Sequence, residues 1–281
     1  MTTQEKMPGV AGKKVLLTGA SRGLGFEMCK RLLHSGATVI AVSRSAVQPG
    51  SAFASLHTEF GPTGQLQVEG IDVADIDATR SAISRVLDRH HTIDVLVNNA
   101  GLGMDHVRRD YQSNPVRFWD VPHDKWNEVM RVNAVAPQVL ASLLVPNMIA
   151  QGWGRIINVG TTYRTMQRFG FSPYGPSKTA LETATVVWAM ELAGTGVTAN
   201  VILPGGAAAT DMAGDPAHFS RTGTPLLPAD IMADPLCWLI STDANEVTGK
   251  RVVCRNWTVG GPISASVAAS VFNAGFVTPT I

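Results

Sequence analysis

Apolar residues along the chain fall into two kinds of run. Short blocks rich in Val, Ile and Leu recur, and between them lie longer stretches whose apolar residues return every three or four positions. The blocks at Lys14–Thr18, Thr38–Ser43, Gln65–Glu69, Val95–Asn98, Arg155–Val159, Thr198–Leu203 and Arg251–Arg255 are predicted strands. Most are apolar at nearly every position, the pattern of parallel strands covered on both faces. The longer stretches predict helices at Gly25–His34, Ile76–Arg89, Lys125–Gln151, Pro173–Ala193 and Ala229–Ser241. Regular alternation of the two predicts repeated βαβ units: an α/β chain with a doubly wound, mostly parallel sheet of seven strands and helices on both faces. No linker or compositional break interrupts it, so residues 1–281 are expected to form one domain. Pro137 and Pro146 fall inside the third helix and predict a kink or an early end there.

Composition narrows the function. The formal net charge of +1 gives no one-sided field, which argues against a nucleic-acid partner and favours a small molecule. Cys29, Cys237 and Cys254 form an odd, scattered set without a CxxC pair, so neither a disulfide framework nor a metal site is expected. The His90-His91 pair ends a helix beside Arg89 and is expected to be solvated. The polar start of the chain, with Lys6, lacks the apolar core of a secretory signal, and a cytoplasmic location is expected. Residues 256–281 carry no charge but are broken by Gly260, Gly261, Pro262, Gly275 and Pro279, a poor membrane span and a tail expected to pack on protein.

After the first predicted strand comes Thr18-Gly19-Ala20-Ser21-Arg22-Gly23-Leu24-Gly25, running directly into a helix. Glycines there let the backbone turn sharply and approach a pyrophosphate, while unpaired N–H groups of the helix N-terminus attract the anion. By itself such a turn serves equally to make a tight corner. Two further motifs follow in order: Asn98-Asn99-Ala100-Gly101 after the fourth strand, and Tyr174-Gly175-Pro176-Ser177-Lys178 opening the fourth predicted helix. Together the three resemble the short-chain dehydrogenase/reductase family from about Gly12 to Asn256, with Asp72-Val73, Asn133 and Pro204-Gly205 at the family's positions. The resemblance implies a Rossmann-type fold and a nicotinamide cofactor held by Thr18, Gly19, Ser21, Arg22, Gly23, Leu24, Gly25, Asp72, Val73, Asn99, Ala100, Gly101, Tyr174, Lys178, Pro204, Gly205 and Thr210.

It also implies an enzyme interconverting a carbonyl and an alcohol. Tyr174 and Lys178, four apart on a helix, share a face, and an ammonium beside a phenol stabilises the phenolate. Tyr174 is thus the expected acid/base. A second hydroxyl should support the charge developing on the carbonyl oxygen. The family uses a serine thirteen residues before the tyrosine; here Thr161 stands there, with Thr162 offering a neighbouring hydroxyl if the register slips. The resemblance gives Asn133 a backbone carbonyl that holds a water linking Lys178 to solvent.

At the end of the second strand Ser43 and Arg44 replace the acid of an NAD-binding site, and Arg22 lies within reach of the same region, so NADP(H) is the expected cofactor. The substrate side is expected in Leu102–Pro122, Arg164–Ser172 and a lid over 206–227 without regular structure, where aromatic and apolar residues outnumber charges and suggest a small hydrophobic ketone, aldehyde or alcohol. Family resemblance implies a homodimer or homotetramer through the helices at 125–151 and 173–193. A nucleotide sensor without turnover, or an enzyme of epimerisation or dehydration, are the competing readings; the first would be marked by loss of Tyr174, Lys178 or Asn133, and all three are present.

Overall fold

The structure is a computed structural model and describes residues 8–44 and 52–275. Lys6 and the last six residues of the uncharged tail lie outside the described residues. In chain order the elements are β1 (Lys14–Thr18), α1 (Gly23–His34), β2 (Thr38–Ser43), α2 (Ala52–Phe60), β3 (Leu66–Gly70), α3 (Ile76–His90), β4 (Val95–Asn98), α4 (His123–Met130), α5 (Ala136–Ala150), β5 (Gly154–Val159), α6 (Tyr163–Met166), α7 (Tyr174–Glu191), β6 (Val197–Leu203), α8 (Pro216–Thr222), α9 (Ala233–Ile240), β7 (Lys250–Val253), α10 (Ile263–Ser270) and β8 (Val271–Asn273).

The strands form one sheet in the order β3-β2-β1-β4-β5-β6-β7-β8. The first seven strands are parallel, and β8 joins β7 antiparallel. Residues on β1 alternate between two cores. Val15 and Leu17 face one built with α1, α2 and α9; Leu16 faces the other, built with α3, α5 and α7. Strand order reverses between β1 and β4, so their carboxyl ends open the crevice in which ligands of such sheets bind. This is the expected Rossmann-type α/β architecture.

Several regions differ from the sequence expectation, among them the unpredicted helices α2 and α6. The helix expected over 125–151 is two, α4 and α5, joined by a five-residue π turn at Arg131–Val135. The interruption precedes Pro137, which has no N–H for the carbonyl of Asn133 four residues earlier; Pro146 is tolerated inside α5. The lid segment contains a short helix, α8, whose start is capped by Asp215 accepting from Ala217 N at 2.9 Å and whose end is Gly223 at φ 64°. The described part of the tail folds as α10 and β8, which brings it into the sheet. His90 is buried, not solvated, and its ring lies 2.9 Å from Gln67 Oε1; burial, then Lys14, pulls its pKa down. Among the described residues no group of His, Cys, Asp and Glu could hold a metal. Among the described residues one helical run, 123–150, is long and apolar enough to cross a membrane, but half of its apolar window is buried in the protein.

Candidate active site

The crevice floor is backbone packed on backbone. Thr18, at the end of β1, accepts through Oγ1 from the N–H groups of Asn99 and Ala100 at 3.0 and 2.9 Å. Asn99 Nδ2 donates in return to the carbonyls of Thr18 and Gly19 at 2.9 and 3.0 Å. A Cβ added to Gly25 would lie 2.1 Å from the Gly19 carbonyl oxygen, so only glycine lets α1 start this close to β1. Gly23 has φ 55°, and the Thr210 methyl would stand 3.1 Å from a Cβ there, which brings Thr210 onto the glycine-rich turn. The twelve-residue α1 has no acid in its first turn and no side chain capping it, so its N–H groups are open to an anion. A dinucleotide phosphate fits this cradle. Leu24 packs on the core below.

At the end of β2, Ser43 donates to Ser21 Oγ at 2.9 Å and ties the strand to the turn. Arg44 follows, exposed. Arg22 pairs with Asp211 of the lid at 3.1 Å. Asp72 Oδ1 accepts from Ala74 N at 3.0 Å and shapes the turn after β3, with Val73 buried beside it. Beyond β6, the Pro204 carbonyl accepts from Arg255 N at 3.0 Å, and Gly205 adopts φ 89° with the Arg255 side chain filling the space of a Cβ.

Tyr174 begins α7 and Lys178 lies one turn later, buried, its Nζ donating to the Val159 carbonyl at 2.8 Å. The Thr161 side chain lies near the Tyr174 phenol and favours its ionised form. The Thr162 hydroxyl is used elsewhere, capping α6 by accepting from Thr165 N at 3.2 Å. Of the two threonines, Thr161 is the one whose side chain bears on the Tyr174 phenol. Asn133 is wholly buried within the π turn. Its Nδ2 donates to the Leu102 carbonyl at 3.0 Å and to Ser177 Oγ at 2.9 Å, and its Oδ1 accepts from Leu102 N at 2.8 Å. Gly101 stands between Asn133 and Lys178, 3.4 and 3.6 Å from where its Cβ would be. Burial pushes the Tyr174 phenol up to about 12, with Thr161 opposing and Tyr111 and Asp105 adding to the rise. Burial brings the Lys178 ammonium down to about 8.

A family model for short chain dehydrogenases matches residues 13–219, most of the chain. The chain belongs to the short-chain dehydrogenase/reductase family. It is 33% identical over 249 residues to the 3-oxoacyl-(acyl-carrier-protein) reductase FabG of Vibrio harveyi, covering 86% of this chain and 95% of the relative. It is 29% identical to the ketoacyl reductase HetN of a Nostoc species over 98% of this chain and 88% of that one. Among solved structures, a metagenomic short-chain oxidoreductase in complex with NADP aligns with a TM-score of 0.70 and 25% identity, over 87% of this chain and 97% of that one.

In this short-chain dehydrogenase two clefts lie along the loops expected to form the substrate side. The larger, about 870 Å³, is lined by Asp105, His106, Arg109, Thr210, Asp211 and Asp215. Ala209, Ala213, Gly214 and Leu226 share its wall with these polar and charged residues. The smaller, about 330 Å³, carries the aromatic residues Phe118, Trp119, Phe169 and Phe171 together with Arg117 and Arg168. Sequence reasoning missed Asp105, whose buried Oδ1 has no hydrogen-bond partner and whose pKa burial raises. It also missed Ser177, which donates to the Tyr174 carbonyl at 2.7 Å and accepts from Asn133. A serine inside the YxxxK motif was visible, but its partner lies 44 positions earlier and nothing in the local pattern names it.

Proposed function

We propose that this chain is an NADP(H)-dependent oxidoreductase interconverting a ketone or aldehyde and its alcohol on a small molecule. The observation that carries the reading is Tyr174 opening α7 with Lys178 buried one turn later and held by the Val159 carbonyl at 2.8 Å, in the same crevice as a cradle that fits a dinucleotide. The nicotinamide, when bound, supplies or accepts the hydride. Thr161 donates a hydrogen bond to the carbonyl oxygen and steadies its growing negative charge. Tyr174 gives that oxygen its proton, and takes one in the reverse direction. An ammonium on Lys178, one turn along α7, favours the phenolate against the burial that holds the phenol proton. The Asn133 carbonyl, deprived of an α-helical donor by Pro137, accepts from the water that returns a proton to Lys178.

Ser43 and Arg44 favour NADP(H), since neither repels a 2′-phosphate and Arg44 can pair with it. The domain closes with residues 206–227 as its lid and works in the cytoplasm. It assembles as a homo-oligomer through α4–α5 and α7, which leave Val135, Ile149, Val187 and Met190 exposed; light scattering showing a monomer at micromolar concentration refutes the assembly. Relatives named as ketoacyl reductases put ketoacyl compounds first among the carbonyls to screen. The deciding assay follows NADPH and NADH oxidation over such a panel. Tyr174→Phe should lower turnover by about 10² or more with cofactor affinity unchanged. Ser43→Asp should reduce the preference for NADPH about tenfold or more, as an introduced carboxylate meets the phosphate. Full turnover by Tyr174→Phe, or equal use of both cofactors by the unaltered chain, defeats the corresponding assignment.

A further inference from the structure

Behind Thr161 and Tyr174 lies a buried cluster that this chemistry does not use. Arg251 on β7 and Glu182 on α7 are 4% and 1% exposed, and Arg251 Nη1 stands 3.5 Å from Glu182 Oε1. Arg251 Nη2 donates to the backbone carbonyl of Thr161 at 2.9 Å. The same guanidinium lies 3.6 Å from the centre of the Tyr163 ring. Tyr163 donates through its hydroxyl to the Gly275 carbonyl at 2.6 Å, and Gly275 N–H donates to Glu182 Oε1 at 3.1 Å. The ring of contacts is closed: it leaves Thr161, passes through Arg251, Glu182 and Gly275, and returns to Tyr163, two residues after Thr161.

Such a pair is a poor device for stability. Desolvating two charges costs several kcal/mol per ion by general estimate, and here Arg251 Nε and Glu182 Oε2 are buried without a hydrogen-bond partner. Apolar side chains of the same size would hold β7 to α7 as well. What the pair supplies is direction. A planar guanidinium fixed on one edge by a carboxylate and on its face by an aromatic ring aims its remaining N–H at one carbonyl. Threonine is stiff at χ1, so holding its backbone holds its hydroxyl. Glu182 follows Tyr174 and Lys178 at successive four-residue steps along α7. One helix thus presents the tyrosine directly and the threonine through Arg251, and the spacing of the two hydroxyls is referred to a common anchor.

We propose that Arg251 and Glu182 are positioning residues that keep Thr161 in register with Tyr174, and that Gly275, close to the end of the chain, completes their anchor through Tyr163. The inference rests on Thr161 acting as proposed above. The test uses the full chain, measuring kcat, KM, NADPH affinity and melting temperature. Arg251→Met combined with Glu182→Leu leaves no lone buried charge. It should fold and bind NADPH normally, with KM within about twofold and kcat lower by about tenfold. Arg251→Lys should recover part of kcat. In a Thr161→Ala background the same double replacement should change kcat by less than about twofold, because the hydroxyl it positions is gone. Tyr163→Phe keeps the stacked ring, removes the hydroxyl that bonds Gly275 and bears on Glu182, and should lower kcat about threefold.

An unchanged kcat in the double replacement, or an equal loss with and without Thr161, overturns the positioning role while leaving Thr161 in place. An unchanged kcat in Tyr163→Phe removes Gly275 from the anchor. If Thr161→Ala alone is fully active, the role of Thr161 and this proposal fall together.

Discussion

The floor of the proposed cofactor crevice and residues 206–227, its proposed cover, are held by different means. On the floor, Thr18, Gly19, Asn99 and Ala100 exchange four hydrogen bonds across two strand ends, and the close approach of Gly19 and Gly25 leaves no volume for another atom. The cover closes on itself through a backbone bridge between Ala208 and Leu227. It reaches the rest of the protein through Tyr111 and Gln112, which donate to the Ala213 carbonyl at 3.2 and 2.7 Å, and through the Arg22–Asp211 pair. Breaking the floor means orphaning buried polar groups, whereas breaking the cover returns most of its groups to water. A rigid floor and a cheaply opened cover are what binding and release of a cofactor require.

The contrast is broken most directly at Gly25. Alanine there places a Cβ 2.1 Å from the Gly19 carbonyl oxygen and 2.4 Å from Asn99 Nδ2. Backbone on one side and a twice-bonded amide on the other cannot both give way. Overpacking and the lost bonds together should cost about 3 kcal/mol or more, and NADPH binding should disappear. Calorimetry and cofactor titration read both; normal cofactor affinity in Gly25→Ala would mean that the floor is not rigid.

Lys178 tests the same floor through its charge. Burial lowers its pKa from 10.5 to about 8, so between those values the unfolded chain binds more protons than the folded one. Stability contributed by this group therefore rises with pH from about 8 to 10.5, and at neutral pH the buried ammonium is a cost. Lys178→Met should be inactive, yet more stable at pH 7 by up to about 3 kcal/mol, less the lost bond to Val159. The advantage should shrink as pH rises through that window. Denaturant melts at pH 7 and pH 10 measure it, and a variant equally destabilised at both would show that the lysine is held by packing. In the carbonyl-reducing direction, kcat of the unaltered chain should fall above pH about 8 as Lys178 loses its proton.

How much of this was legible in the sequence depends on where each residue finds its partners. β1, β2 and β4 were read to the residue, because strands covered on both faces are apolar at nearly every position between polar ends. Thr161 and Tyr174 were named because the YxxxK motif and the thirteen-residue spacing match the pattern of the family the sequence resembles. The helix α10 was not, since it buries Ser266 and Ser270 and hydrophobic periodicity cannot show a helix whose inner face is polar. The short helix α8 carried its signals, Asp215-Pro216 at the start and Gly223 at the end, within a stretch whose Gly and Ala content masked them. Glu182 and Arg251 were invisible for a different reason: a buried ion pair joining positions 69 apart has no local pattern.

The finest comparison lies where floor and cover touch. The Arg22 and Asp211 side chains are 73% and 79% exposed, so their 3.1 Å pair is screened by water and should add less than about 1 kcal/mol to stability. Asp211→Asn should leave the melting temperature nearly unchanged. Its effect on the cofactor has a defined sign. If Arg22 exchanges Asp211 for the 2′-phosphate on binding, removing the carboxylate frees the guanidinium and lowers KM for NADPH about twofold, while KM for NADH stays the same. At high salt the difference between variant and unaltered chain should vanish, because exposed charges are screened within about 10 Å at 0.1 M and less above it. A rise in KM for both cofactors would mean instead that the pair acts as a clasp holding the cover down, and that the cover contributes to binding more than its exposed contacts imply.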